Sequence, residues 1–198
     1  MIFRHSAPEY QYRDFRRYRK LLRSDFQYRS AYCLTKEYSL GGETNFTIDH
    51  YYPRGGKYGR PDLAEVYENL YWTCRECNEN KSEYWPSPDE ELLGFKWINP
   101  CESWGNHDSH WIVYSDGSIK WLTPVGEYTI SRLRLDQREW LKRHWQQLYQ
   151  GQAEHTALLH LLESKQLPAE LQIRLDSQLQ ILNELLNPQI YARPRSND

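Results

Sequence analysis

Residues 31–60 constrain the fold of this chain more than any other stretch. Turn-forming residues divide the apolar residues here into pieces that are too short to build a hydrophobic core. The short apolar pieces are separated by Gly41-Gly42, Pro53, Gly55-Gly56 and Gly59-Arg60-Pro61. Cysteines lie close by, at Cys33 and in the pair Cys74-x-x-Cys77. A segment of this composition buries little apolar surface, and units of this size commonly depend on a bound metal. The sequence therefore predicts a small core that is held together by a metal ion.

Helical patterns flank this segment. Phe15, Tyr18, Leu22 and Phe26 recur at intervals of three and four residues, which predicts an amphipathic helix over 12–28. Beyond residue 129 the apolar spacing predicts one or two helices that end at Gly151. Two further helices are predicted over about 153–166 and about 168–187.

Short strands are predicted between these helical regions. Thr44–Ile48 is a candidate strand that leads into Asp49-His50, and a helix is expected from near Cys77 to about Tyr84. Residues 111–114 and 119–122 flank an Asp-Gly turn, which predicts a β-hairpin. We therefore expect an α+β protein in three regions: an N-terminal basic helical arm (1–29), a core with the hairpin (30–125) and a C-terminal helical region (126–198).

Charge is distributed unevenly, although the formal net charge of the 198-residue chain is only −2. Residues 1–30 hold eight Arg or Lys against three acids, a net of +5, and residues 61–91 hold nine acids against two bases, a net of −7. The small total argues against a protein that coats nucleic acid through bulk electrostatics. A basic arm beside an acidic block favours contact with a phosphate backbone on one face, through Arg16, Arg19 and Lys20. The alternative is a helix whose charged side faces solvent.

The apolar residues exclude two classes of protein. No stretch approaches 18 consecutive apolar residues, and the first ten residues lack the apolar run of a signal peptide. We therefore expect a cytoplasmic protein without membrane contact, in which the four cysteines are thiols or metal ligands rather than disulfides. The chain is rich in Trp and Tyr, and we expect Tyr84, Trp85 and Trp97 to fill the core rather than to stack on bases.

Residues 30–85 carry a set of side chains suited to phosphodiester hydrolysis. Asp49 offers a hard oxygen ligand, and His50 can act as a neutral base near physiological pH. At the end of a strand these two side chains point to opposite sides, so that one can bind a cation while the other faces a substrate. Asn78 would offer a second oxygen to the cation, Asn69 would orient the imidazole, and Lys81 would meet a phosphate.

The ordered run Tyr32-Cys33, Asp49-His50-x-x-Pro53, Asn69-Leu70, Cys74-x-x-Cys77-Asn78 and Lys81 resembles the HNH endonucleases, which have the ββα-metal fold. His50 matches the first letter of the family name, Asn69 the second, and Asn78 stands where the third residue is usually His. The resemblance implies that His50 is the general base and that Asp49 and Asn78 bind a catalytic Mg²⁺ or another divalent cation. It also implies a nucleic-acid substrate, with DNA favoured.

A weaker similarity extends beyond this run. Ile98-Asn99-Pro100-Cys101, the hairpin and Leu133-Arg134-Leu135-Asp136-Gln137-Arg138 are similar to bacterial HNH proteins that are encoded beside an ATPase in anti-phage systems of the Septu type. This similarity implies the nuclease subunit of a defence complex with an ATPase partner.

The sequence departs from the family at one cysteine. Relatives often carry two Cys-x-x-Cys pairs that hold a structural Zn²⁺, and here Ser30 stands at the first position, where a hydroxyl is a poorer ligand than a thiolate. Cys33, Cys74 and Cys77 remain as candidate zinc ligands. The candidates for a fourth ligand are Cys101, His107 and His110. The alternative is that the thiols are packed in the interior without zinc.

Two other hypotheses remain open. A zinc-finger-like module that binds nucleic acid without cutting it would keep the same fold, although it would need neither Asp49 nor His50. The C-terminal helices are rich in leucine, which predicts docking of a partner subunit or a second copy, or burial against the protein's own core. The leucines concerned are Leu158, Leu159, Leu161, Leu162, Leu171, Leu175, Leu179, Leu182, Leu185 and Leu186.

Overall fold

The computed structural model shows an α+β protein and describes residues 3–164 and 169–186, with side chains for 3–160 and 170–180. Within those ranges the strands are β1 (Phe46–His50), β2 (Leu70–Cys74), β3 (Trp111–Val113) and β4 (Ile119–Trp121). The α-helices there are α1 (Arg19–Asp25), α2 (Arg75–Lys81), α3 (Pro88–Leu92), α4 (Pro124–Leu133), α5 (Glu139–Ser164) and α6 (Ala169–Leu186). Short 3-10 turns lie between them.

The chain forms two compact units. The first holds the described residues up to Trp111 together with Trp121–Leu135, and the second holds Ile112–Lys120 together with the described residues from Asp136 onward. The residues predicted to carry the chemistry all lie in the first unit. In the second unit, α5 and α6 pack against each other.

A ββα unit lies at the centre of the first unit. β1 and β2 pair antiparallel, with Phe46 opposite Cys74 and His50 opposite Leu70. β2 is buried along its whole length, and α2 follows it directly because Cys74 is both the last residue of β2 and the N-cap of α2. α2 packs against both strands. This topology brings the end of β1 and one side of α2 together.

The N-terminal helical segment is shorter than predicted. A 3-10 turn over Phe15–Tyr18 precedes α1, and Asp14 caps that turn by accepting a hydrogen bond from Arg16 N. The helix ends before Gln27, which has a φ of 51° and cannot continue an α-helix. Tyr18, Leu22 and Phe26 are buried, as their spacing predicts. This segment packs on β2.

Two element boundaries differ from the sequence prediction in the ββα unit. β1 begins at Phe46 rather than at Thr44, because residues 43–45 form a 3-10 turn. α2 begins at Arg75 and ends at Lys81 instead of running from Cys77 to Tyr84. Ser82 takes a left-handed φ of 47°, which ends the helix before Pro86 can do so.

The predicted break at Gly151 is wrong, because α5 runs through that residue to Ser164. A glycine inside a helix costs only about 1 kcal/mol relative to alanine, and the remaining residues of a long helix offset that cost. The predicted hairpin is confirmed by the two-stranded sheet of β3 and β4. Its turn contains Gly117 at a φ of 76°, and Asp116 accepts hydrogen bonds from Ser118 N and Oγ.

Within the described ranges, each helix is either too short or too polar to pass through a membrane.

Candidate active site and metal centre

A groove of about 500 Å³ opens in the first unit beside the end of β1. Asp49, His50 and Asn78 all line it, so the structure brings together the predicted base and the two predicted ligands of a divalent cation. The other lining residues are Phe15, Arg16, Arg19, Thr47, Ile48, Pro53, Arg54, Ser82 and Glu83. The groove therefore combines an imidazole, an oxygen ligand set and several guanidinium groups.

The hydrogen bond of His50 fixes its tautomer. Nε2 lies 2.9 Å from the carbonyl oxygen of Ala64, and because a carbonyl can only accept, Nε2 carries the proton and Nδ1 carries the lone pair. Phe15 packs its ring against the imidazole at a centroid distance of 4.8 Å. Burial lowers the pKa of His50 below its ordinary value. The imidazole is therefore neutral at physiological pH and has one basic nitrogen.

Asn69 holds the loop that carries the acceptor for His50. Its side chain is buried, accepts a hydrogen bond from Tyr52 N at 2.8 Å, and donates to the carbonyls of Tyr52 and Leu63 at 3.2 Å each. Leu63 directly precedes Ala64. Asn69 therefore does not contact the imidazole through these bonds, but it fixes both ends of the segment on which the imidazole depends.

The carboxylate of Asp49 has two partners inside the protein. The hydroxyl of Tyr32 donates to Oδ2 at 2.6 Å, and Nζ of Lys81 lies 3.3 Å from Oδ1 and 3.2 Å from Oδ2. Burial raises the pKa of Tyr32 well above its usual range, so that this hydroxyl keeps its proton and donates it to the hydrogen bond. Asp49 is 4% exposed and is held rigidly at the wall of the groove.

The structure places Lys81 differently from the sequence prediction. Its side chain is fully buried, and Nζ donates to the carbonyl oxygen of His50 at 2.7 Å as well as to Asp49. In this arrangement the ammonium does not reach a phosphate at the surface. Burial lowers the pKa of Lys81, while the neighbouring carboxylate opposes that shift. The sequence could not show this, because the partner of Lys81 depends on how α2 packs against β1.

The other three basic residues predicted to contact nucleic acid, Arg16, Arg19 and Lys20, differ in their surroundings. Arg16 and Lys20 are exposed. Arg19 donates to Glu43 through Nε at 2.6 Å, and its guanidinium lies over the Trp72 ring at 4.7 Å. Arg19 therefore reaches the groove with part of its hydrogen-bonding capacity already used.

Arg54 also lines the groove, although it is not among the residues that the sequence predicts for the site. Its guanidinium lies 5.6 Å from the centroid of the Phe15 ring, the same distance as that of Arg16. Two guanidinium groups thus share the aromatic ring that contacts His50. Arg54 directly follows Pro53, the last residue of the motif element Asp49-His50-x-x-Pro53, but this position does not by itself indicate that its side chain lines the groove.

Three thiols form a compact buried cluster. The Sγ atoms of Cys33, Cys74 and Cys77 all lie within 4.8 Å of one another, and those of Cys33 and Cys74 are 3.8 Å apart. Two sulfur ligands of a tetrahedral zinc ion, each about 2.3 Å from the metal, are separated by about 3.8 Å. The cluster can hold a metal ion such as zinc, which confirms the prediction that these three residues come together.

The thiols also stabilise one another in the protonated form. The hydrogen bond with Cys33 raises the pKa of Cys74 to about 12, and burial raises the pKa of Cys77 well above its usual range. A metal cation reverses this preference because it binds thiolates.

The cluster does not include any predicted fourth ligand. His107 forms a hydrogen bond between Nε2 and the carbonyl of Ala31, and His110 bonds Thr123 and the carbonyl of Trp104. Cys101 lies apart from the other three thiols. Ser30 is fully buried and pairs with Thr73 at 3.1 Å. The residues present therefore fit three of the four positions of a tetrahedral zinc site.

The groove lining includes two carboxylates, those of Asp49 and Glu83, and the amide of Asn78. Tyr32 and Lys81 already use part of the hydrogen-bonding capacity of Asp49. Among the His, Cys, Asp and Glu side chains that the structure describes, the thiol cluster alone brings three ligand atoms within 4.8 Å of one another.

Comparison with protein-family models, with curated proteins and with solved structures found no match.

Proposed function

We propose that this protein is a metal-dependent endonuclease of the HNH type, with the β1–β2–α2 unit as its ββα-metal core and DNA as the favoured substrate. The observation that carries the proposal is the shared groove, in which Asp49, His50 and Asn78 meet. A divalent cation bound by Asp49 and Asn78 would stabilise the negative charge that develops on the scissile phosphate and on the leaving oxygen.

His50 is the general base in this proposal. Its Nδ1 accepts a proton from the attacking water, while the hydrogen bond from Nε2 to Ala64 keeps the ring oriented and stabilises the imidazolium that forms. Asn69 is a positioning residue, since it acts through the loop and not on the reacting atoms. Arg16 and Arg54, with Arg19 and Lys20, supply positive charge for the phosphate backbone.

Plasmid cleavage in the presence of Mg²⁺ or Mn²⁺ tests the proposal. Wild-type protein should cut, and His50→Ala should reduce the rate by about 10²-fold to 10⁴-fold, the usual contribution of a general base. His160→Ala is the matched control, because His160 is an exposed histidine outside the groove and its removal should leave the rate unchanged. Equal rates for wild type and His50→Ala would remove the assignment.

One observation favours a second function. Lys81 already supplies a positive charge to the carboxylate of Asp49, so the fold satisfies this carboxylate without a divalent cation. A zinc-stabilised module that binds nucleic acid without cutting it is consistent with that pairing. In that case nucleic-acid affinity should be unaffected by His50→Ala and should fall in Arg16→Ala, Arg19→Ala and Lys20→Ala, with no cleavage under any metal.

For the C-terminal helices we propose a docking role, with an ATPase subunit or a second copy as the partner. Leu159 and Leu171 are 41% and 47% exposed, while Leu179 is buried. The side chains of Leu161, Leu162, Leu182, Leu185 and Leu186 lie outside the described residues. Deleting 152–198 should abolish assembly while the remaining chain still cuts. An unchanged mass of the complex in size-exclusion chromatography would remove this role.

A further inference from the structure

A second pocket, of about 300 Å³, lies in the first unit. Four of its eight lining residues are aromatic, and its polar lining contains both carboxylates and hydrogen-bond donors. The lining residues are Tyr51, Tyr52, Trp85, Glu91, Lys96, Asn99, Glu102 and Trp104. The proposed catalysis uses none of these side chains.

The aromatic walls are held in place by the protein itself. Tyr52 and Trp85 pack ring against ring at a centroid distance of 4.4 Å with an interplanar angle of 32°, and Trp85 Nε1 donates to Glu91 at 3.2 Å. The backbone of Tyr52 is fixed by its two hydrogen bonds with Asn69. Tyr52 and Trp104 are nevertheless 37% and 42% exposed. The pocket thus presents preorganised ring surfaces to solvent, which lowers the entropy cost of stacking a flat ligand on them.

One segment separates the pocket from the groove. His50, Pro53 and Arg54 line the groove, whereas Tyr51 and Tyr52 between them line the pocket. Two residues span at most about 7 Å of extended chain. The pocket and the groove therefore adjoin the same short backbone segment.

The charged lining of the two cavities differs in its balance. The groove has Arg16, Arg19 and Arg54 against two carboxylates, those of Asp49 and Glu83, whereas the pocket has Glu91 and Glu102 against Lys96. Carboxylates repel a phosphate but accept hydrogen bonds from the amino groups of bases. The charges favour a phosphate in the groove and the edge of a base in the pocket.

The amide of Asn99 adds a donor of defined orientation. Its Oδ1 accepts hydrogen bonds from Tyr71 OH at 2.6 Å and from Cys101 N at 3.1 Å, which fixes Nδ2 as the donor end of the side chain. Acceptors from Glu91 and Glu102 and donors from Asn99 and Lys96 match a base edge that has both an amino group and a ring nitrogen or carbonyl. Thymine and uracil lack the amino group, and their unpaired edge offers only the ring N3–H as a donor to a carboxylate.

We propose that this pocket binds one unpaired nucleobase that carries an exocyclic amino group, next to the scissile phosphate. Base stacking on Tyr52, Trp85 and Trp104 supplies affinity, and the carboxylates supply preference for adenine, cytosine or guanine over thymine. The proposal rests on the proposed nuclease function, since the phosphate in the groove sets the position of the base.

The first test uses a single-stranded thymidine octamer that contains one 2-aminopurine, mixed with wild-type protein without added divalent cation. Stacking on aromatic side chains should quench the fluorescence of 2-aminopurine upon binding. Trp104→Ala and Trp85→Leu should weaken binding by about fivefold to a hundredfold, the range for loss of one base–aromatic stack. Trp121→Ala is the matched control, because Trp121 is 49% exposed outside the pocket. Quenching that is equal in Trp104→Ala and Trp121→Ala would overturn the proposal.

The second test addresses the polar groups. Octamers with one central adenine, cytosine or guanine should bind more tightly than the all-thymine strand, and Glu102→Gln should reduce this preference while keeping the size of the side chain. No preference in wild type, or one that Glu102→Gln leaves intact, would overturn the role of the carboxylates. Both tests measure binding and not cleavage, so the two proposals can fail separately. Quenching without cleavage would contradict the nuclease function alone, and cleavage without quenching would contradict the base-binding role of the pocket alone.

Discussion

The ammonium of Lys81 lies 3.2 Å from the carboxylate of Asp49, and both side chains are buried. An internal cation therefore already neutralises the carboxylate that we propose as a ligand of the catalytic metal. Any divalent ion at Asp49 must share this carboxylate with the lysine, and that competition can be measured.

Lys81→Met should destabilise the protein strongly. Removing one partner of a buried ion pair costs about 3–5 kcal/mol, because the remaining charge stays uncompensated. Added Mg²⁺ should restore part of the free energy of unfolding in this variant, since a cation at Asp49 replaces the lost charge. Urea unfolding with and without Mg²⁺ measures both effects.

Two controls accompany that measurement. Lys120→Met removes an exposed lysine and should leave the free energy of unfolding nearly unchanged. The double variant Asp49→Asn with Lys81→Met should lose the response to Mg²⁺. If Lys81→Met alone shows no response to Mg²⁺, Asp49 is not a ligand.

The pH dependence of cleavage should report the environment of His50. A general base works only when it is unprotonated, so activity should fall as the pH drops through the pKa of His50. Burial lowers that pKa, which places the acid limb below the ordinary histidine value of about 6.5. Initial rates from pH 4.5 to 8 at fixed Mg²⁺ locate the limb. A limb above 6.5 would contradict the assignment of His50 as the titrating base.

Asn69→Ala should reduce turnover without removing a reacting group. The variant loses three side-chain hydrogen bonds of a buried amide, which should lower the free energy of unfolding by about 1–3 kcal/mol. We expect kcat to fall about tenfold to a hundredfold, the usual cost of losing a group that orients a site residue, with KM for DNA unchanged. Asn80→Ala on α2 serves as the control, and an equal loss of kcat there would show that the effect is not specific to the loop.

Arg54→Ala and Arg16→Ala should each weaken binding to DNA and lower its dependence on salt. Each phosphate contact contributes about 0.7 to 0.9 to the slope of log K against log salt concentration. Fluorescence anisotropy of a labelled duplex at salt concentrations from about 50 to 200 mM gives the slope. Arg60→Ala is the matched control, because Arg60 is exposed, pairs with Asp62 and does not line the groove. An unchanged slope in Arg54→Ala would show that Arg54 does not contact a DNA phosphate.

Cys74→Ser should abolish zinc binding and lower the melting temperature. The purified protein should contain about one zinc per chain, and loss of about 3 kcal/mol would lower Tm by about 6–12 °C in a chain of this size. Elemental analysis and thermal unfolding measure these quantities. Cys101→Ser, outside the cluster, should keep both values. A zinc-free wild type with the same Tm after chelation would show that the thiols are only packed.

The sequence motif could predict which residues meet but not how each is used. The order of Asp49, His50 and Asn78 implies a strand followed by a helix, and local pattern suffices for that. The partner of Lys81 depends on how closely α2 packs on β1, which residue spacing does not encode. Arg54 lies in a turn-rich segment with no periodicity, so nothing in its pattern indicates its place beside Phe15.

The aromatic residues after the Cys pair show the same limit. Trp97 is fully buried, as expected, but Tyr84 is 54% exposed, so the expectation that it fills the core is wrong. Trp85 lines the second pocket. Composition shows that the chain has more rings than a small core needs, and only the tertiary structure shows which of them remain accessible.

Cys74 ends β2 and begins α2, Cys77 lies in the first turn of that helix, and Cys33 comes from the loop before β1. A single ion bound by these thiols would hold three chain segments together. Asn78, which lines the groove, directly follows Cys77. Scarcity of zinc in the cell would then lower the proposed nuclease activity by loosening the scaffold that holds the groove, even though the zinc itself would not contact nucleic acid.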